Sequence, residues 1–429
     1  MSTALYRLGR WCATHARRVL VLWLVVLVGA GALAATISQP LGNGFTIPGA
    51  DFEKVRQQLG EEIPEAAGGF GTVVLSSDTA FTPAQRAAVE DVFAAWGEVP
   101  NVSRVINPFE AQDQLDRAVG LAQALVGTVS AAVRGKDAEV RLAVVALLAG
   151  GHLLLEDLPG TGKTLLAKSL ATAIGGRFGR VQCTPDLLPT DITGTSVYSP
   201  VDGSWTFRAG PLFANVVLVD EVNRASPRTQ AALLEPMEEH QVTVDGTTHR
   251  LPAPFFCIAT QNPYGQIGTF PLPESQLDRF ALVVSMGLPD RDAEREILTG
   301  RGGTDVFASL RPVADPTAVA AAVAAVRHVH GAPAVVEYVL DLAAATRTHP
   351  ELTVGVSPRA TVGLLHAARA HAVVSGRAHL TPDDVQAVAG PSFAHRVAVG
   401  GVVDTGAARR VIADVVARTP VPRAPVTPG

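Results

Sequence analysis

The sequence predicts an α/β protein with a parallel sheet, and three observations lead to this fold class. Apolar strands alternate with helices between residues 111 and 305, which is the pattern of parallel strands joined by helices. One strand, Leu153–Glu156, is followed by a tight Gly-containing turn and a helix. From Asp315 onward the strand patterns stop and helical patterns continue, so we expect a separate all-α lid.

Length and composition are those of a packed globular protein with more than one domain. The 429 residues are 47% hydrophobic and 17% charged, which suits two or three folded domains. The formal net charge of -5 indicates no basic surface for nucleic acid, so we exclude nucleic acid as a main partner. The three cysteines are widely spaced and indicate neither a disulfide framework nor a zinc site.

The composition divides the chain into five stretches. Residues 1–38 are a tail with a membrane helix, 39–110 a partial α+β segment, 111–305 the α/β core, 306–400 the helical lid, and 401–429 a C-terminal helix with a Pro-rich tail. The composition becomes rich in Ala and Val at the start of the third stretch, which indicates that a second protein begins there.

The first stretch carries the candidate membrane helix. Nineteen residues, Val19–Ile37, contain no charge and can cross a hydrocarbon core of about 30 Å. Four arginines precede them and would keep the N-terminus in the cytoplasm. A signal peptide cleaved near Ala32-Leu33-Ala34 is the alternative, but the apolar run is longer than a usual signal core. We expect an uncleaved anchor in the cell membrane.

The second stretch is predicted to be half of an α+β unit. It contains a turn, a helix, a strand over Gly71–Ser77, a helix over Thr82–Trp96 and a strand over Val102–Asn107. Pro83 and Gly97 bracket the second helix in agreement with capping preferences.

The turn after Leu153–Glu156 suits a polyphosphate. Backbone N–H groups of such a turn and the positive end of the following helix point at one place. The pattern G-x-x-x-x-G-K-[ST] has Gly where this chain has Asp157. Lys163 would reach the β- and γ-phosphates, and the Thr164 hydroxyl would bind Mg²⁺. The candidate phosphate-binding residues are Asp157, Leu158, Pro159, Gly160, Thr161, Gly162, Lys163, Thr164 and Leu165.

Polar residues at the ends of later strands supply partners for this loop. Asp220 and Glu221 follow an apolar strand, where Asp220 would hold Mg²⁺ and Glu221 would orient the attacking water. A lone acidic pair at a strand end is more often a cap, but the strand and the upstream loop favour catalysis. Asn262, after the next strand, would bond the water or the γ-phosphate, or else mark an Asn-Pro turn.

Two arginines are candidates for the same chemistry. Arg279 precedes an apolar strand, and Arg359 lies in the first turn of a lid helix predicted over Pro358–Val374. An arginine delivered to the γ-phosphate can be worth about 10³ to 10⁵ in rate. Taken singly, each arginine is more typical of a surface or ion-pair residue.

Six strings together resemble the MoxR family of AAA+ ATPases. They are DLPGTGKT, QCTPDLLPTDITG, GPLFANVVLVDEVNRASPRTQAALLEPMEE, ATQNP, PLPESQLDRF and GVSPRA. The resemblance covers about residues 120 to 400 and implies a P-loop core with an all-α lid. It implies that Lys163 and Thr164 bind phosphate and Mg²⁺, and that Asp220 and Glu221 form the Walker B motif.

The resemblance also implies roles for residues farther along the chain. Asn262 would be sensor 1, Arg279 an arginine finger acting on a neighbouring subunit, and Arg359 sensor 2 of the lid. Arg224 also fits the family string, which suggests a second intersubunit role. The implied protein is a cytoplasmic, Mg²⁺-dependent ATPase that forms a ring, expected to be a hexamer, and remodels client proteins. The implied partners contain von Willebrand A domains.

The first 110 residues resemble a different family. The apolar helix, the segment TIPGADFEKVRQQL and the partial α+β unit resemble the opening of an MMPL-type lipid transporter of the RND superfamily. Such transporters need many membrane helices, whereas the run Leu142–Leu155 is short and is interrupted by glycines. Transport by this chain alone is therefore disfavoured.

A second interpretation is that the chain is a non-native join. A genomic deletion or a faulty gene model would connect a transporter start to a truncated ATPase. With the N-terminal arginines inside, one span carries everything after Ile37 outside, whereas the ATPase needs cytosolic ATP. Either the helix inserts in reverse, it does not insert, or the join is not a working protein.

Overall fold

The computed structural model describes residues 81–99, 102, 105, 107–201, 203–262, 268–299 and 304–422. The candidate membrane helix Val19–Ile37 and the elements predicted before residue 81 lie outside these ranges. Within them, none of the helices is long and apolar enough to cross a membrane. The chain divides into two compact units, Met1–Asn107 and Pro108–Gly429.

The described part of the first unit contains helix α1, over Pro83–Gly97. The Thr82 hydroxyl accepts a hydrogen bond from the Gln85 N–H, and the Gln85 side chain accepts one from the Thr82 N–H. This reciprocal capping box satisfies N–H groups that the helix leaves unpaired. The helix predicted here is therefore found within one residue at each end, while the strand predicted after it lies largely outside the described residues.

The second unit begins with two helices and continues as an alternating α/β core. The helices are α2 (Pro108–Ala132) and α3 (Asp137–Leu148). The core contains β1 (Leu153–Glu156), α4 (Lys163–Ala173), β2 (Phe178–Gln182), α5 (Pro189–Thr193), β3 (Gly194–Ser199), β4 (Ser204–Ala209), β5 (Val216–Asp220), a 3₁₀ turn (Val222–Arg224), α6 (Pro227–Ala231), α7 (Leu234–Glu239), β6 (Gln241–Val244), β7 (Thr247–Arg250), β8 (Phe256–Gln261), α8 (Glu274–Leu277) and β9 (Leu282–Val284).

Helices dominate the remainder of the second unit. The elements are α9 (Arg291–Leu298), α10 (Thr304–Ser309), α11 (Pro316–Val326), α12 (Pro333–Thr348), β10 (Leu352–Val354), α13 (Pro358–Val374), α14 (Pro382–Phe393), a 3₁₀ turn (Ala394–Arg396), β11 (Ala398–Val399) and α15 (Thr405–Arg418). The prediction of an all-α region misses one short ribbon, because β10 pairs antiparallel with β11. Strands of two and three residues are too short to show a period in the sequence.

Five strands form the predicted parallel sheet, in the order β2-β5-β8-β1-β9. All four neighbouring pairs are parallel, so the carboxyl ends of the strands lie along one edge. The apolar runs Leu153–Leu155 and Val216–Val219 are fully buried. A sheet covered on both faces needs such continuous apolar strands, which explains why they do not alternate with polar residues.

Alternate residues of β1 face the two hydrophobic clusters that lie on opposite faces of the sheet. Leu153 and Leu155 pack in the cluster formed with α2, α3, α4 and the lid helices. Leu154 packs on the other face with Met237 of α7 and Val242 of β6. The sheet is thus fixed from both sides, and its loop-bearing edge is held in place.

The apolar pattern of the sequence predicts one helix over Pro227–Glu239, whereas the structure contains two shorter helices, α6 and α7. Pro236 has no N–H for the Ala232 carbonyl, and its ring collides with that carbonyl in a continuous helix. Ala232 and Leu233 instead form a turn with hydrogen bonds to the residues three positions earlier. The break gives α7 a direction of its own.

A buried carboxylate ties the start of α14 to α13. Asp384 has 0% exposure and accepts hydrogen bonds from the Arg377 guanidinium (2.7 and 2.8 Å) and the Thr381 N–H (2.9 Å). It also lies 2.8 Å from Nδ1 of His371. Burial alone raises the pKa of Asp384, but the hydrogen bonds from His371, Arg377 and Thr381 outweigh it and hold the pKa well below its usual range.

We expect Asp384→Asn to lower the free energy of unfolding, because the Arg377 guanidinium loses its charged partner. Breaking a buried ion pair costs about 3 to 5 kcal/mol, and the lower end applies because 30% of the Arg377 side chain is exposed. Urea unfolding at pH 7 measures the change, with Asp383→Asn, an exposed neighbour, as control.

The lowered pKa also determines the pH dependence. The contribution of Asp384 is present above the ordinary carboxyl pKa of about 4 and is lost as the pH falls below it. The difference between Asp384→Asn and the unmodified protein should therefore shrink only under acidic conditions. Equal unfolding free energies of the two proteins at pH 7 would contradict this account.

Candidate functional site

A cavity of about 470 Å³ opens at the carboxyl ends of the strands. It contains most of the site residues expected from the sequence, together with four that were not expected, Lys168, Thr260, Gln261 and Phe307. The lining residues are Asp157, Pro159, Gly160, Gly162, Lys163, Thr164, Leu165, Lys168, Asp220, Glu221, Thr260, Gln261, Asn262 and Phe307. Leu158 and Thr161 belong to the same loop without lining the cavity.

The loop between β1 and α4 needs glycine at two positions. Gly160 has a φ of 84° and Gly162, which precedes α4, has a φ of 91°. These left-handed values are strained for any residue with a Cβ atom. Asp157 is not among the non-glycine residues with positive φ. An aspartate can therefore occupy this position of the pattern without backbone strain.

The Asp157 carboxylate ties the loop to the strand at the sheet edge. Its Oδ1 accepts a hydrogen bond from the Leu158 N–H at 2.7 Å, and its Oδ2 accepts one from the Gly287 N–H. Gly287 follows β9, so the carboxylate connects the start of the loop with a segment 130 residues later. Asp157 is 8% exposed, which shields these bonds from water.

Lys163 is folded back onto its own loop. Its Nζ donates to the carbonyl oxygens of Asp157 (3.0 Å) and Leu158 (2.6 Å). Partial burial lowers the pKa of Lys163, while the charges of Asp157, Asp220 and Glu221 act in the opposite direction. The ammonium group is thus held by the carbonyl oxygens of its own loop and is attracted by the two acids at the end of β5.

Thr260 fixes both acids of the Asp220-Glu221 pair. Its hydroxyl donates to Asp220 Oδ1 at 2.8 Å and accepts from the Glu221 N–H at 2.8 Å. Thr260 is 1% exposed, so the position of this hydroxyl is set by packing. Sequence reasoning missed this residue, although a threonine inside the apolar run of β8 is a signal that could have found it.

Each acid is paired with an arginine of the same chain. Arg180 of β2 lies 2.7 Å from Asp220 Oδ2, and Arg224 lies 2.9 Å from Glu221 Oε2. The amide of Gln182 is 3.5 Å from the same Glu221 oxygen. Glu221 has a φ of 55°, a strained value of the kind found at functional sites. Sequence reasoning missed Arg180 and Gln182, which share one face of β2.

The donor atoms in the cavity suit a hard cation. The Thr164 hydroxyl and the Asp220 carboxylate line the same space beside the loop. Mg²⁺ prefers oxygen ligands and is usually bound by one or two protein groups together with phosphates and water. The residues present therefore fit Mg²⁺ bound together with a polyphosphate.

Arg279 and Arg359 do not line this cavity. Both contact Glu238 of α7: Arg279 through Nη1 to Oε2, and Arg359 through Nη1 to Oε1 at 3.1 Å. Arg359 also lies 3.6 Å from the Asp278 carboxylate. The structure thus brings Asn262 together with the loop and the acids, but it places the two arginines in a separate cluster.

The core and the lid of the second unit both match known protein families. Residues 152–282 match the ATPase family associated with various cellular activities (AAA), and residues 344–414 match the AAA lid domain. A crystal structure of a protein assigned as an ATPase from Cytophaga hutchinsonii matches with a TM-score of 0.66 and 31% identity, over 73% of this chain and 98% of that chain.

A further local match concerns a membrane protein. YdfJ of Bacillus subtilis is 30% identical over 114 residues, which are 25% of this chain and 16% of that protein. So small a share of YdfJ does not show membership of its family.

Two relatives are similar over most of their length. YeaC of Bacillus subtilis is 44% identical over 263 residues, which are 61% of this chain and 82% of that protein. The chaperone MoxR1 of Mycobacterium tuberculosis is 40% identical over 272 residues, which are 61% of this chain and 72% of that protein. These similarities favour the ATPase over the other functions expected from the sequence. The chain belongs to the MoxR family of AAA+ ATPases: it hydrolyses ATP and has a chaperone-like function.

Proposed function

We propose that ATP binds in the cavity with its phosphates on the loop between β1 and α4. The N–H groups of the loop and of the start of α4 would hold the phosphates, and Lys163 would exchange its two carbonyl partners for phosphate oxygens. Thr164 and Asp220 would hold Mg²⁺, which neutralises phosphate charge. The observation that carries this proposal is the shared cavity of Lys163, Thr164, Asp220 and Glu221.

Glu221 is the residue that would orient the attacking water. Thr260 holds its backbone N–H, whereas its carboxylate is paired with Arg224. The Arg224 guanidinium occupies Glu221 Oε2, so this contact would open for that oxygen to bind the water. Asn262 lines the same cavity and would bond the water or the γ-phosphate.

Arg279 and Arg359 would act on the nucleotide of a neighbouring subunit. AAA+ ATPases typically assemble as rings, and a ring places a second chain against the open side of each cavity. Arg359 lies with Arg279, outside the lining of the cavity of its own chain, which supports a role between subunits for both. Arg224, for which the sequence suggested such a role, contacts Glu221 of its own chain, and its role between subunits stays a prediction.

Membership of the MoxR family supports a proposal about the assembly, the location and the partners of the chain. We propose a hexameric ring in the cytoplasm that remodels client proteins, together with a partner containing a von Willebrand A domain. In this assembly residues 111–305 are the ATPase core, residues 306–400 the lid, and residues 401–429 a C-terminal helix and tail. The support is the relationship to chaperone MoxR1.

We further propose that the first 110 residues share ancestry with an MMPL-type transporter and that Val19–Ile37 anchors them in the membrane. The resemblance of the segment TIPGADFEKVRQQL to such transporters and the uncharged length of Val19–Ile37 support the proposal. One anchor is too few for transport, so the ATPase remains the activity of the chain.

Two substitutions test the ATPase site. Lys163→Ala should abolish nucleotide binding, because it removes the cation that faces the phosphates. Glu221→Gln should bind ATP but lower kcat by about 10² to 10⁴, the usual share of a group that handles the proton of water. Binding of a fluorescent ATP analogue and phosphate release measure the two effects. Unchanged hydrolysis in either variant would refute the assignment.

Asp157→Ala should raise KM for ATP about tenfold with little change in kcat, because the loop loses hydrogen bonds to a charged group worth roughly 1.5 to 3 kcal/mol. Steady-state kinetics measure this, with the exposed Asp186→Ala as control. Asp157→Gly should have a KM for ATP as high as that of Asp157→Ala, since the backbone at this position is unstrained and gains nothing from glycine. Tighter ATP binding in Asp157→Gly would show that the aspartate is instead a defect of the loop.

Protease accessibility tests the membrane anchor. In membrane vesicles of known orientation, the full chain should sediment with the membrane, and deletion of residues 1–38 should release it. The ATPase part should be digested only from the cytoplasmic side, where ATP is present. A full chain that stays in the supernatant would disprove the anchor without affecting the ATPase.

A further inference from the structure

Three arginines and two carboxylates alternate in one cluster of the second unit. Glu238 contacts Arg279 and Arg359 through its two oxygens. Asp278 lies 3.6 Å from Arg359 Nε and 2.9 Å from Arg396 Nε. We call these five residues the arginine cluster. It joins α7 of the core to α13 of the lid.

One end of the cluster is anchored and the other is open. The Arg396 side chain is 7% exposed and donates to the carbonyl oxygens of Asp278 (3.0 Å) and Phe280 (2.9 Å). By contrast, the side chains of Arg359 and Glu238 are 50% and 42% exposed. The buried Nε of Arg279 has no hydrogen-bond partner among the described residues. The Arg279 side chain as a whole is 20% exposed, so a second molecule can approach the cluster mainly at Arg359 and Glu238, beside Arg279.

Glu238 allows two like charges to lie together. Burial and, after it, the positive charge of Arg359 lower the pKa of Arg279, so the two guanidinium groups repel each other. The carboxylate of Glu238 forms an ion pair with each of them and accepts a hydrogen bond from Arg359 Nη1. Two positive charges and one negative charge leave one net positive charge at the exposed end, which suits a phosphate.

We propose that Glu238 is a positioning residue that holds Arg279 and Arg359 as a pair for the γ-phosphate of ATP bound to the neighbouring subunit. This inference rests on the proposed function, in which both arginines act between subunits. Without Glu238, the two guanidinium groups separate and only one reaches the phosphate at a time. A misplacement of about 1 Å can cost about 10²-fold in rate.

The variants are Glu238→Gln and Glu238→Ala, with Glu239→Gln as matched control. Glu239 is an exposed neighbour that bonds Gln241 and does not belong to the arginine cluster. We expect both Glu238 variants to form rings and to bind ATP with unchanged affinity, while kcat falls about 10- to 100-fold. Unchanged kcat, increased kcat or loss of rings in both variants would overturn the proposal.

Subunit mixing locates the effect. Glu221→Gln chains carry an intact arginine cluster, and Glu238→Gln chains carry an intact Glu221. In rings mixed in equal amounts, about one quarter of the interfaces therefore combine an intact Glu221 with an intact Glu238. We expect hydrolysis to rise above that of either variant alone. No rise would overturn the role of Glu238 between subunits.

A second mixture, of Glu221→Gln chains with Arg279→Ala chains, distinguishes failure of the role of Glu238 from failure of the proposed function. Recovery with Arg279→Ala but not with Glu238→Gln would leave the proposed function intact and reject Glu238. Failure of both mixtures would reject the intersubunit role itself. In an Arg359→Ala background, Glu238→Ala should have a much smaller effect on kcat, because the pair it holds no longer exists. An undiminished effect would mean that Glu238 acts on something other than this pair.

Discussion

The candidate nucleotide site depends on the hydroxyl of Thr260, which is bonded to both Asp220 and Glu221. This contact exists because β5 and β8 are parallel neighbours in register, with Val219 opposite Ala259. The next residues of the two strands, Asp220 and Thr260, therefore meet at the sheet edge. Packing on both faces of the sheet holds that register, so the burial of apolar strands positions the polar chemistry.

Arginines and acids form ion pairs both at the acids Asp220 and Glu221 and in the arginine cluster. Beside the cavity, Arg180 forms an ion pair with Asp220, and Arg224 forms one with Glu221. In the arginine cluster, Glu238 and Asp278 neutralise the arginines proposed to act on a neighbour. Bound nucleotide would compete for these charges, since Mg²⁺ attracts the acids and phosphate attracts the arginines. Turnover in a ring would then exchange ion pairs within chains for contacts between chains.

The predictions succeeded where the signal is local. The strand Leu153–Glu156 and the helix Pro358–Val374 have the predicted bounds, because an apolar run and a Ser-Pro start are visible without any partner. The prediction of one continuous helix over Pro227–Glu239 was wrong. The apolar period indicates a single helix, but Pro236 has no N–H with which to continue it. The ribbon of β10 and β11 joins segments more than forty residues apart, and neither strand is long enough to show a pattern.

The sequence by itself determined the fold class and the family, because both are recorded in patterns repeated between residues 111 and 400. It also indicated the loop at Lys163 and Thr164 and the acids at the end of β5, because each of these is recorded in adjacent residues. Only the tertiary structure decided how Asp157 is used, which hydroxyl holds Asp220 and Glu221, and where Arg359 lies. The bond from Gly287 to Asp157 spans 130 residues, and that from Arg359 to Glu238 spans 121. Contacts between such distant residues arise from the packing of whole elements, which no local pattern records.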